Sequence, residues 1–97
     1  MAAKRYEKAV QEYTLVMESG TLPLAQFPEA YCNRGRAFYE TGDLDRALTD
    51  FMRAIELRPE YAEAYHNRGM VHRKMGQDAE AVADFRKAKE LGYVPPK

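Results

Sequence analysis

Ninety-seven residues with 45% hydrophobic and 31% charged side chains describe one ordinary globular domain at most. So short a chain buries only about 60–65% of the surface it exposes when unfolded, so its core must be simple. Fifteen basic and fifteen acidic side chains cancel, unlike the basic footprint of a general nucleic-acid binder, and a single cysteine excludes an internal disulfide framework. No apolar run exceeds three residues, so neither a membrane span nor a secretory segment is expected and a reducing, cytoplasmic setting is the default.

In chain order, residues 3–18 read as a lone amphipathic helix, in which Tyr6, Ala9 and Tyr13 repeat the places of Leu44, Ala47 and Phe51 further on. A loop from Ser19 to Phe27 follows, with Gly20 and Pro23 inside it and Pro28 counted with it. Residues 30–41 form the next helix, with Tyr31, Gly35, Phe38 and Tyr39 on a helical period. Gly42 suits a left-handed position closing that helix, and Asp43 can cap the next one. That helix runs from about 44 to 57 with Ala47, Leu48, Phe51, Ala54 and Ile55 turned inward, and Pro59 stops it. A helix over 62–75 ends at Gly76, and one over 78–91 ends at Gly92. The count is five helices and no strands.

Internal repetition is the strongest signal. Residues 62–95 set against 28–61 are identical at thirteen of 34 positions, among them Tyr31/Tyr65, Asn33/Asn67, Arg34/Arg68, Gly35/Gly69, Ala47/Ala81, Asp50/Asp84 and Phe51/Phe85. Gly35 and Ala47 fall where two antiparallel helices cross, which lets the axes approach to about 8–9 Å. One such pair cannot bury both faces, so Leu44, Leu48 and Ile55 must be covered by the next pair. Stacked pairs give an all-α solenoid.

Tyr31, Gly35, Phe38, Gly42, Ala47, Phe51, Ala54 and Pro59 within a 34-residue unit resemble the tetratricopeptide repeat. The second copy keeps Tyr65, Gly69, Gly76, Ala81, Phe85 and Ala88, with His72 in the Phe38 place and Tyr93 in the Pro59 place. The segment Tyr-x-Asn-Arg-Gly, at 31–35 and 65–69, resembles a subtype common in large arrays of the family. The resemblance implies a right-handed superhelical α-solenoid of antiparallel helix pairs. It divides the single domain, 1–97, into a half repeat (1–27, the lone helix plus loop), a repeat (28–61) and a second repeat of C-terminal capping type (62–95). Leu44 becomes Asp78 and Ile55 becomes Lys89 in the second copy, while Leu48 stays apolar as Val82; the two polar substitutions suit the solvated outer face of a terminal repeat, the alternative being that more chain follows. At the other end Ala9, Tyr13 and Val16 lack the partner helix the family supplies. Leu22, Leu24 and Phe27 fold back over them, or a partner covers them, or upstream sequence has been removed.

For function, the resemblance implies a protein-interaction scaffold whose first helices line a concave groove. Its floor here would carry Glu29, Cys32, Asn33, Arg36 and Tyr39, then Glu63, His66, Asn67, Met70, Arg73 and Lys74. A carboxamide offers an acceptor and two donors, so Asn33 and Asn67 could grip an extended peptide's backbone at C=O and N–H alike; the alternative is that each caps or bridges to its neighbouring helix. Arg36, Arg73 and Lys74, joined by His66 when protonated, suit acidic side chains or a free C-terminal carboxylate, or simply form a solvated mixed face. Tyr39 and Met70 would offer apolar contact. In the chaperone-tail-binding branch of the family, basic residues stand where this chain has Cys32 and Glu63, which argues against a chaperone co-factor role.

Arg34 and Arg68 are expected to be structural, each paired with the aspartate sixteen residues on, Asp50 and Asp84. Cys32 and His66 occupy equivalent places in successive repeats, but helix surfaces offer no free backbone N–H groups for an oxyanion hole, so no catalysis is expected. His66 and His72 lie about 240° apart around a helix and cannot share a metal, and no cofactor motif is present. The expected function is therefore peptide or protein binding in the concave groove by Asn33, Arg36, Tyr39, His66, Asn67, Met70, Arg73 and Lys74. The chain is expected as a monomer or weak homodimer without nucleic-acid or membrane partners. The alternative is an assembly module that self-associates or docks through the exposed face of the first helix.

Overall fold

The structure, a computed structural model, describes residues 2–94. Five α-helices follow one another: α1 (Ala2–Glu18), α2 (Phe27–Thr41), α3 (Leu44–Leu57), α4 (Ala62–Lys74) and α5 (Asp78–Glu90). One 3-10 turn, Leu24–Gln26, precedes α2, and no strand occurs among the described residues. The helix α2 begins three residues before the expected 30. Pro28 lies in its first turn, where the missing N–H would have had no partner and the fixed φ is already helical, so proline starts this helix instead of belonging to the loop.

Sharp helix ends make the hairpins. Gly42 has φ 91°, a value only glycine adopts freely. Its N–H donates to the Tyr39 carbonyl at 3.1 Å and the Asp43 N–H to that of Phe38 at 2.9 Å, the paired closure that satisfies a helix's last carbonyls. The Asp43 carboxylate then accepts from the Arg46 N–H at 3.3 Å and caps α3. The same closure recurs at Gly76 and Gly92.

Two hairpins, α2 with α3 and α4 with α5, stack so that α3 packs on α4, while α1 packs on α2. Each hairpin closes over a glycine. A Cβ on Gly35 would stand 2.8 Å from the Phe51 ring, and one on Gly69 2.9 Å from that of Phe85. Phe51, Ala47, Ala54, Phe38, Ala64 and Val71 form the core, and Leu44, Leu48 and Ile55 pack half-buried against it with Tyr61 and Met75. The apolar outer side of α3 is thus covered by the second hairpin, as stacking demands. The architecture is an all-α solenoid of helix pairs.

The two ends differ. On α5, Asp78 and Lys89 face solvent. On the loop beside α1, Leu24 is 86% exposed, so it does not fold back over that helix; Leu22 lines one groove with Val16, and the Phe27 and Tyr31 rings meet edge to face.

Candidate functional site: the concave trough

A trough of about 710 Å³ runs along the first helices of the hairpins. Asn33, Arg36 and Tyr39 of α2 and His66, Asn67 and Met70 of α4 wall it, with Tyr6 and Tyr13 of α1 on the α2 side and Tyr93 and Val94 beside His66. These helices carry their trough residues at spacings of three and four, so the side chains share one face. Six of the eight residues expected from the sequence therefore meet in one cavity.

The other two sit apart. Arg73 lies over the Phe85 ring, 5.3 Å from its centroid, and lines a neighbouring hollow with His66, Lys89 and Tyr93. Lys74 extends over the Tyr39 ring at 5.3 Å. The expected basic patch is consequently spread out, Arg36 shares the trough wall with the carboxylates of Glu40 and Glu63, and one contribution to the patch is corrected. The His66 pKa is lowered, first by burial and then by the Arg73 charge, so the imidazole is neutral at pH 7 and adds no cation.

Cys32 is the second correction. It is fully buried between α2 and α4, not on the groove floor. Its thiol donates weakly to Glu63 Oε1 at 3.9 Å and accepts from Asn67 Nδ2 at 3.6 Å. Burial, and then the charge of Glu63, push its pKa up to about 11, so the thiol stays protonated and unreactive at neutral pH. Asn67 thus bridges to the neighbouring helix through one donor while its residue lines the trough.

Sequence reasoning missed the segment after α5. Gly92 turns the chain back with φ 95°, and Tyr93 stacks on His66 with ring centroids 4.4 Å apart and 23° between planes. An aromatic residue in the Pro59 place, directly after a helix-ending glycine, was the available signal.

The expected ion pairs are present. Arg34 Nε and Nη2 donate to the two Asp50 oxygens, each at 2.8 Å, and Arg68 does the same to Asp84. The aspartates are buried and the guanidiniums a fifth to a quarter exposed, so both arginines are committed to the frame. Arg34 also donates to Thr14 Oγ1 of α1 at 3.0 Å. His72, in the Phe38 place, lies between helices against Gln77 at 2.6 Å and Asp84 at 3.6 Å. No group of three or more His, Cys, Asp or Glu side chains is placed to hold a metal ion among the described residues.

Two family models match this frame, one described as TPR repeat over residues 35–76 and one as tetratricopeptide repeat over 62–91. Between them the two matches span residues 35–91. Solved structures agree in fold. The chain is similar to MamA MSR-1 (28% identity, TM-score 0.77, 90% of this chain and 48% of that one) and to MamA AMB-1 (27%, 0.78, 91% and 50%). It is also similar to a MamA D159K mutant (30% identity, TM-score 0.76, 89% of this chain and 48% of that one). The chain spans about half the length of these proteins. Among curated proteins no relative matches. Tetratricopeptide repeats support a protein–protein interaction module, a generally non-catalytic scaffold, and no helix among the described residues is long and apolar enough to cross a membrane.

Proposed function

We propose that the chain binds a peptide or protein segment, extended or as a short helix, in the concave trough. The observation that carries this reading is the meeting of two carboxamides, Asn33 and Asn67, with Arg36, Tyr39, His66 and Met70 around one cavity of about 710 Å³. The carboxamides hold the ligand backbone. Arg36 in the wall, with Arg73 and Lys74 beside it, attracts acidic side chains or a C-terminal carboxylate, and Tyr39 and Met70 give apolar contact. Residues 1–27 act as a half repeat, 28–61 and 62–95 as repeats, the latter a C-terminal cap. The chain works as a cytoplasmic, non-catalytic module, monomeric or weakly dimeric, without nucleic-acid or membrane partners. A second reading, docking through the exposed face of α1, is favoured by Val16, which is 44% exposed on that helix.

The test of the trough is titration with a fluorescent peptide ending in two acidic residues and a free carboxylate. Asn67→Ala lowers affinity about fivefold, the worth of one lost hydrogen bond, with helicity unchanged. Equal affinity for both proteins removes the backbone grip.

A further inference from the structure

We infer that the hollow behind the His66–Tyr93 stack is a second ligand site, shaped for a small aromatic carboxylate. The inference stands apart from the trough reading, since its deciding residues, Arg73, Phe85 and Lys89, line the hollow and not the trough.

The hollow holds about 560 Å³, within the range of small-molecule sites, which set a few placed polar groups in apolar walls. Its walls are largely rings. His66 meets both Phe85 and Tyr93, with centroids 5.2 Å and 4.4 Å away. Arg73 and Lys89 are its cations, and no carboxylate is among the described residues that line it. Glu63, whose charge reaches His66, lines the trough instead. His66 and Tyr93 line both cavities, so their stack is the partition. A segment held in the trough does not run on into the hollow, which favours a free small molecule as the occupant.

Arg73 supplies an independent pointer to an anion. Among the described residues five arginines lie over aromatic rings: Arg34, Arg46, Arg58, Arg68 and Arg73. The first four also reach a carboxylate, those of Asp50, Asp43, Glu29 and Asp84, at 2.8, 3.5, 3.9 and 2.8 Å. Arg73 sits over the Phe85 ring with no acidic partner among the described residues. A guanidinium held over a ring keeps its N–H edge for a carboxylate, which it grips through two parallel bonds. The other hairpin shows that this is not an apolar stacking face. Tyr39 and Ile55 there pack half-buried against the core, and Arg73 and Lys89 hold the corresponding places here. An apolar helix laid on them would leave two cations without partners. An aryl group on the rings, with its carboxylate on Arg73 and Lys89, satisfies both.

The probe is naphthoate, titrated against the full chain by its own fluorescence. Saturation at one molecule per chain is expected. Lys89→Glu weakens binding about tenfold and Arg73→Gln about fivefold, and Arg73→Lys recovers part of that loss. Asn33→Ala, in the trough, leaves it unchanged. Arg73 and Lys89 are exposed, so these variants keep the parent's helicity by circular dichroism. Absence of saturation overturns the site. Equal affinity for naphthylmethanol, which has the rings without the charge, overturns its chemistry. Binding weakened by Asn33→Ala and untouched by Lys89→Glu puts the probe in the trough and also overturns the proposal. The peptide acetyl-Gly-Phe-Asp-Gly-amide carries a ring and an acid on a polypeptide; if it binds more tightly than naphthoate and loses affinity with Lys89→Glu, the small-molecule assignment falls.

Discussion

The first and last helices are of the same type, yet they are bare on opposite sides. Helix α5 lies on its own partner α4, and the side it turns outward carries Asp78 and Lys89, where α3 has Leu44 and Ile55. Helix α1 is covered on the side of α2 and open where a hairpin partner would lie, and that open side keeps Tyr13 and Val16. Two polar side chains stand there in place of apolar ones beside the exposed Val82, while the open side of α1 keeps a ring and an apolar side chain. The solenoid therefore has a direction that the recurrence of its repeats alone would not show.

The widest separation between covered and bare positions is expected at the ring. Phe51→Ala empties a core site and costs about 3–5 kcal/mol in urea unfolding, whereas Tyr13→Ala costs less than about 1 kcal/mol; equal losses would break the contrast. The acids come next. Asp50→Ala strands the Arg34 guanidinium and costs about 2–3 kcal/mol, less than a wholly dry pair because Arg34 is 19% exposed, while Glu12→Ala stays within about 0.5 kcal/mol. The two hairpins can then be set against each other. Gly35→Ala crowds the buried Phe51 ring and costs a net 1–2 kcal/mol or about that after the gain in helix propensity. Gly69→Ala costs less, because the half-buried Phe85 can shift.

The smallest effect concerns the His66–Tyr93 stack. The folded state holds His66 below its ordinary 6.5, by burial first and the Arg73 charge second, so the unfolded chain takes up the proton more readily. The stability this contributes is complete above 6.5 and declines as pH falls through that value toward the lowered one. The urea midpoint followed from pH 7.5 to 5 should show that decline, and His66→Gln should flatten it.

Much of this was legible because the repeat states each contact twice. The recurrence of Arg34 and Asp50 as Arg68 and Asp84 made an internal pairing more economical than two ligand contacts, and the 2.8 Å geometry bears it out. The glycine–aromatic crossings followed from the same redundancy. Cys32 was not legible, because periodicity places a residue on a helix face but does not say how closely the next first helix leans on it. That approach, through Glu63 and Asn67, turns a groove position into an interior one. Pro28 was misplaced because the same residue that breaks a helix interior is well suited to its first turn. Tyr93 departs from the repeat, so nothing elsewhere in the chain announced where it goes.

The bonds that close each hairpin, Arg34 to Asp50, Gly35 against Phe51, and their counterparts Arg68 to Asp84 and Gly69 against Phe85, are all made within one unit. A coding sequence for such a chain can lengthen or shorten by 34 codons without asking any existing unit to change its internal fit; only the outward sides of the flanking helices must be rewritten. Growth by duplication is therefore mechanically cheap here, and the reach of the trough becomes a quantity that copy number, more than redesign, can set.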